Sequence, residues 1–380
     1  MSDFLNLVET INQEAADARV IFQGEGQSIR AAGRKSPEYL AKLVEATRFV
    51  ADVTEGKRPV SHLREALSTA DFPVLFGDIL DRQVLAAYRE APQTFRSWAR
   101  VKSVRDFRPV RRMFSDGGDR GLELVDQHGE YREVDRGEGS YTYSVGKYGN
   151  TFSLSWESLI NDDLDELKDQ PARFGRAARR TEERFATSLI ASSTGPNATF
   201  FSAGNGNRIT NTLTLPGLTA GLQAMAARTD PGGEPIFNSP AILMVPPSLE
   251  IQATNLLNAL ILEYGSGADR VKAQNWLKGR LTLVVNRYLP IVDTTRGNTA
   301  WYLFADPAES RGAVEIGFLR GHEEPQVFMK AADAVSVAGG TADAFTGDFA
   351  TDAIRYKARH VIGGTVLDNR FALASDGTVA

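Results

Sequence analysis

The chain has 380 residues, 42% of them hydrophobic and 24% charged, an ordinary globular balance that excludes a wholly disordered chain, a collagen and a coiled-coil rod. Forty-three Lys and Arg against 48 Asp and Glu leave a net charge of −5, so nothing global draws the protein to a polyanion, although local basic patches stay open. The absence of cysteine excludes disulfides, thiolate catalysis and cysteine-bound zinc. No apolar run approaches the ~18 residues of a membrane span. The first 20 residues carry Asp3, Glu9, Glu14 and Asp17 and lack the basic-then-apolar order of a secretory signal, so the expected place of use is a cytoplasm or something assembled there.

Residues 1–70 are highly charged, with nine Lys/Arg and ten Asp/Glu. Within them Pro37 to Val53 reads as an amphipathic helix, with Ser36 as N-cap, Pro37 in the first turn, and Tyr39, Leu40, Leu43, Val44, Ala46 and Val50 at helical spacing. It is either a surface helix or an arm that packs on a partner subunit. A second helix is expected over Phe76 to Glu90, through Leu80, Val84, Leu85 and Tyr88, ending before Pro92. Arg105, Arg108, Arg111 and Arg112 follow, suited to phosphate or to acids of the chain or a neighbour.

From 115 to 150 the chain is Gly-rich and acidic, with eight Asp/Glu against four Lys/Arg. Tyr141, Tyr143 and Val145 alternate with Ser140, Thr142 and Ser144, which predicts a strand with one wet face. So long a hairpin with so little apolar content cannot bury a core, so it should project and find order against a neighbouring surface. Phe152 to Trp156 alternates again, a short helical piece is expected over Glu157 to Leu167, and Pro171 opens a long helix to about Ser192. Its buried stripe is Phe174, Ala177, Ala178, Phe185, Leu189 and Ile190; Arg173, Arg176, Arg179, Arg180 and Arg184 occupy much of the remainder, with Glu182 and Glu183 as local partners. Ser193 to Asn211 reads as a loop. Beyond it a compact α+β region is expected, with strands at Ala241–Val245, Leu281–Val285, Trp301–Phe304 and Val314–Leu319 and a helix from Ser248 to about Leu262. Ala353 to Leu373 reads as a terminal hairpin turning at Gly363-Gly364.

Chemistry is scarce. None of His62, His128, His322 and His360 has another histidine at metal-ligand spacing, and His322-Glu323-Glu324-Pro325-Gln326 breaks the zinc-protease pattern at Pro325 and Gln326. There is no serine-hydrolase elbow and no phosphate loop, and Gly137-Glu138-Gly139 lacks the third glycine and the helix of a dinucleotide site. Asn161 to Glu166 could hold a divalent cation, but more simply starts a helix with acids matched to its dipole. No catalytic residue, cofactor or metal is expected.

The stretch Tyr143-Ser144-Val145-Gly146-Lys147-Tyr148-Gly149-Asn150-Thr151-Phe152-Ser153-Leu154-Ser155-Trp156-Glu157-Ser158-Leu159-Ile160-Asn161-Asp162-Asp163 resembles the major capsid proteins of tailed bacteriophages, most closely their Mu-like head subunits. Ser68 to Pro73 and Tyr356 to Gly364 are similar to that family too, and the likeness runs over about 68–375. The resemblance implies the α+β Hong Kong 97-type fold. Residues 1–112 would be N-terminal arm and lead-in and 113–148 the extended E-loop. Residues 149–211 would be the peripheral (P) domain with its spine helix at about 171–192, residues 212–345 the axial (A) domain, and 346–380 a P-domain return hairpin and tail. It implies a structural protein of the virion, assembled in a host cytoplasm, that self-associates as pentamers and hexamers in an icosahedral shell around double-stranded DNA. The DNA would be touched weakly and without specificity. Portal, scaffolding and decoration proteins are further implied partners, and no membrane. Inter-subunit contacts are expected from Asp119, Glu123, Asp126, Glu130, Glu133, Tyr141 and Tyr143 of the E-loop, and from Arg173, Arg176 and Arg180 of the spine helix as their basic counterpart. An encapsulin-type compartment shell is the alternative, and an enzyme of unrecognised class a remote one. Some members cross-link an E-loop lysine to a neighbour; no lysine lies between Arg112 and Lys147 here, so no such network is expected. Some members also lose an N-terminal segment, whereas here the first 70 residues are expected to be kept as an arm.

Overall fold

The computed structural model describes residues 7–13, 37–54, 57–59, 62, 72–116, 137–154, 164–230, 233–236, 238–264, 271–308, 311–330, 350–351 and 353–378. The elements in chain order are α1 (Pro37–Thr54), α2 (Phe72–Glu90), α3 (Phe95–Trp98), β1 (Arg100–Val104), β2 (Val110–Asp116), β3 (Gly137–Tyr143), β4 (Val145–Leu154), α4 (Leu164–Ile190), β5 (Ala191–Ser192), β6 (Gly195–Pro196), β7 (Arg208–Ile209), α5 (Leu215–Ala226), β8 (Pro240–Val245), α6 (Glu250–Asn258), β9 (Ile261–Tyr264), β10 (Val271–Gln274), β11 (Thr282–Val285), α7 (Leu289–Val292), β12 (Trp301–Ala305), β13 (Val314–Leu319), β14 (Gln326–Met329), β15 (Ile354–Val366) and β16 (Ala372–Ser375). The class is α+β. The chain forms two compact units, each drawn from three stretches: 1–92, 147–180 and 324–360 make the first, and 93–146, 181–323 and 361–380 the second.

In the first unit the apolar stripe of α1 is buried at Leu40, Leu43, Ala46, Val50 and Val53. These residues recur every three or four positions, so they share one helix face. They pack with Leu75, Ile79 and Leu80 of α2, with Leu7 and Ile11, and with Tyr356 of β15. Each such apolar side chain contributes about 1.5–3 kcal/mol by leaving water. Tyr356 stacks on Phe152 of β4 at 4.8 Å, and Phe152 meets Phe174 of α4 at 5.1 Å. Here β15 pairs antiparallel with β14, from Gln326↔Arg359 to Met329↔Tyr356. Its even residues Tyr356, Ala358 and His360 are buried, and the odd ones face away from the core.

The long helix begins at Leu164, not at Pro171, which lies inside it. Proline there forfeits one main-chain hydrogen bond, and the helix runs through it.

In the second unit a five-stranded sheet has the order β11-β8-β12-β16-β7. Strand β8 runs parallel to β11 and antiparallel to β12, and β12 is antiparallel to β16. Trp301, Tyr302, Leu303 and Phe304 of β12 are fully buried in one cluster with Trp98, Phe201, Leu218 and Leu243. A parallel pairing of β1 with β13, and an antiparallel one of β13 with the later part of β15, complete the unit.

Two expectations change here. The helix expected to reach Leu262 stops at Asn258, and the chain turns into the hairpin β9–β10. The amide of Asn275 donates to the carbonyl oxygens of Leu256 and Leu257 at 3.0 and 3.2 Å, taking up acceptors that the last helical turn leaves open. The terminal hairpin does not form either. Strand β15 continues through Gly363 and Gly364, and β16 pairs with β12 instead. Both glycines are needed for contact, not for turning: a Cβ would lie 2.2 Å from the Ser144 carbonyl oxygen at 363 and 2.6 Å from that of Glu315 at 364.

Candidate inter-subunit surfaces

Strands β2 and β3 form a two-stranded ribbon, in register from Val110↔Tyr143 to Asp116↔Gly137, with no third strand among the described residues. The pleat places Val110, Arg112 and Phe114 on one face with Tyr141 and Tyr143, and Arg111 and Met113 on the other. Met113 is 74% exposed.

The root of the ribbon is tied to β13. Glu315 is only 3% exposed and accepts from Arg112 Nε at 2.9 Å and from the Tyr143 hydroxyl at 2.6 Å. Burial, and then the bond to Glu315, pushes the Tyr143 hydroxyl well above the ordinary phenol range, so it stays a donor. The ring of Tyr143 rests on Gly317, where a Cβ would come within 2.7 Å of it. Farther out, Phe114 stacks on Tyr141 at 4.7 Å, and the Arg311 guanidinium lies 5.5 Å from the Phe114 ring centre.

Of the residues expected to meet a neighbour, Asp119, Glu123, Asp126, Glu130 and Glu133 lie outside the described residues. Tyr143 is buried against its own subunit, and Tyr141 is half-buried. Arg173, Arg176 and Arg180 all sit exposed along one face of α4. Arg179, from the same run, is buried: its guanidinium carbon lies over the Tyr88 ring, 3.8 Å from the centre, and the group donates to the Tyr88 carbonyl oxygen at 3.2 Å. Glu183, expected as a local partner for these arginines, is buried and bonds elsewhere. It accepts from the backbone N–H of Thr94, from the Thr94 hydroxyl at 2.7 Å and from Phe95 N–H at 3.2 Å. Burial raises its carboxyl above the ordinary 4.5 despite those bonds.

A second basic surface went unread in the sequence. On the face of β14 and β15 turned from the core, Phe328 is 38% exposed, with Lys357 Nζ 5.3 Å and Arg359 Cζ 4.5 Å from its ring centre. Arg359 also donates to Gln326 at 2.8 Å. Arg355 and Lys330 lie on the same face, and Lys147 is exposed on neighbouring β4. The signal was the complement of the apolar alternation, the odd set Arg355, Lys357 and Arg359. Among the described residues no group of His, Asp and Glu could hold a metal ion, and no helix is long and apolar enough to cross a membrane.

The sequence profile of the phage capsid protein family matches residues 139–375, well over half of the chain. The chain belongs to that family. The capsid protein is therefore a structural component of a virion shell, not an enzyme. No curated protein matches its sequence. Among solved structures it is similar to a chain of Mycobacterium phage Ogopogo, at 14% identity and a TM-score of 0.45 over 75% of this chain and 92% of that one. A chain in the capsid structure of cyanophage P-SCSP1u gives 12% and 0.46 over 75% and 88%. A chain of the holo-SrpI encapsulin complex from Synechococcus elongatus PCC 7942 gives 12% and 0.44 over 74% and 85%.

Proposed function

We propose that this capsid protein is the major head subunit of a tailed phage. In this reading copies with the Hong Kong 97-type fold assemble as pentamers and hexamers into an icosahedral shell around double-stranded DNA, in the host cytoplasm. The observation that carries it is the ribbon. Its root is fixed by a buried carboxylate, while its two strands have no further strand beside them among the described residues. An anchored projection of this kind supplies backbone donors and acceptors to an adjoining copy, each hydrogen bond adding about 0.5–1.5 kcal/mol. Residues 113–148 would be the E-loop. Residues 149–211 would carry the P-domain spine and 212–345 the A-domain. DNA, portal, scaffolding and decoration proteins would meet the assembled shell.

Expression of the chain, with sedimentation and negative-stain imaging, tests this. Closed shells are expected, and replacing residues 117–136 by a short Gly-Ser link should leave folded subunits that no longer form them. A monomer at all concentrations would overturn the proposal.

A further inference from the structure

We infer that Asn205 is a self-modification site: the Gly206 nitrogen attacks its side-chain amide, and water then converts the residue to aspartate or isoaspartate, at a rate set by the surrounding turn. The reaction is independent of shell assembly and takes only water as its reactant.

The sequence supplies the reacting pair. Among the chain's asparagines only Asn205 precedes a glycine, and a glycine has no side chain to hinder the approach of its nitrogen. The fold leaves the pair open to water. Asn205 and Gly206 are both exposed, and Gly206 has a φ of +66°. Apart from its chain neighbours, no atom of the described residues lies within 4 Å of where a Cβ at 206 would stand. The same turn restrains the chemistry. The Gly206 N–H donates to the Ala203 carbonyl oxygen at 3.0 Å, and Asn205 Nδ2 donates to that of Phe200 at 3.2 Å. The attacking nitrogen and the leaving nitrogen are thus both held by hydrogen bonds that must break first. Asn207, fully buried, closes the turn: it accepts from the Ser202 N–H at 2.9 Å and donates to the Phe200 carbonyl oxygen at 2.8 Å. The reaction therefore waits on local opening.

The atoms balance. Gly206 N gives its proton to hydroxide and bonds to Asn205 Cγ; the Cγ–Nδ2 bond breaks, and the amide nitrogen leaves as ammonia with a proton from water. Water then opens the cyclic imide. Opening at Cγ gives aspartate, and opening at the main-chain carbonyl gives isoaspartate, which carries the main chain through an extra carbon. The Asn207 carbonyl oxygen accepts from the Ala374 N–H at 2.9 Å, so a lengthened turn pulls on the edge where β7 meets β16.

The full chain, folded and in urea, is held at mildly alkaline pH in heavy-oxygen water and its peptides are mapped by mass spectrometry. An acid carrying heavy oxygen is expected at 205 in both samples. It should form about ten- to a hundredfold more slowly in the folded chain, the effect of two hydrogen bonds that must open. Equal rates would overturn control by the turn. No heavy oxygen at 205 in the folded chain after prolonged incubation would overturn the site, as would faster conversion at any other asparagine. Asn205→Gln, whose longer side chain closes a ring far more slowly, should lose the signal, with thermal melting to confirm that it folds; a signal that survives in it sinks the proposal. Hydrogen exchange at Ala374 should rise in the isoaspartate fraction, and unchanged exchange there would overturn the link to β16.

Discussion

Glu315 is the residue on which the ribbon turns. Its carboxylate is removed from water and meets two donors that both belong to the ribbon. Deleting one donor from a buried charge costs about 1.5–3 kcal/mol, so Tyr143→Phe should lower the subunit's melting temperature. Hydrogen exchange should rise at 137–143 first. Unchanged exchange there would show that the ribbon is held elsewhere. Gly317→Ala attacks the same seat from below, because its Cβ would meet the Tyr143 ring. It should mimic Tyr143→Phe with no polar group altered. Neither Glu315 nor Gly317 was legible in the sequence. Alternation marked the wet and dry faces of Tyr141 and Tyr143, but the partner of Tyr143 lies 172 positions away and carries no local signature.

Among elements, the helices were the most legible, because a stripe of period 3.6 is written into the residues that form it. The stripe in α1 read from sequence is the one the structure buries. The start of α4 was misread because proline is both a favoured first-turn residue and a tolerated interior one, and spacing alone does not separate the two. Glu183 was read as a partner of the arginines, but it holds Thr94 and Phe95 instead. This has a pH signature. The folded carboxyl titrates above the ordinary 4.5, so the folded state binds a proton more readily than the unfolded one. Stability from this group therefore rises as pH falls from neutrality through the raised value, and levels off below the ordinary one. Glu183→Gln removes the titration and keeps an acceptor. Its melting temperature relative to the native protein should stand highest at neutral pH and fall steadily on acidification. A pH-independent difference would mean that the carboxyl is not shifted.

On the scale of the whole molecule, cohesion of the shell is expected to come from many modest contacts, with no cross-link through the ribbon. With no lysine between Arg112 and Lys147, boiling assembled particles in detergent should release one band near 41.5 kDa. A ladder of multimers in untreated particles would show a cross-link chemistry that the ribbon does not carry. The exposed cations around Phe328 make salt a test of how much of that cohesion is electrostatic. Shells should loosen between low and high ionic strength, since exposed charge pairs are screened within ~8 Å at physiological salt. A shell indifferent to salt would argue for apolar cohesion instead.

Strand β16 lies between β12 and β7, and all four of its residues are buried. Arg208 secures the following Asp376 at 3.0 Å, and Arg228 donates to the carbonyl oxygens of Asn369 and Ala372 at 2.8 and 3.0 Å. The strands beside it, β12 and β7, precede it in the chain. A nascent copy thus carries a gap in the middle of its sheet, beside Trp301 and Tyr302, until synthesis has passed this point. A chain cut short before residue 372 should therefore leave this sheet unfinished, and limited proteolysis of such a truncation should cleave the unit faster than in the full chain.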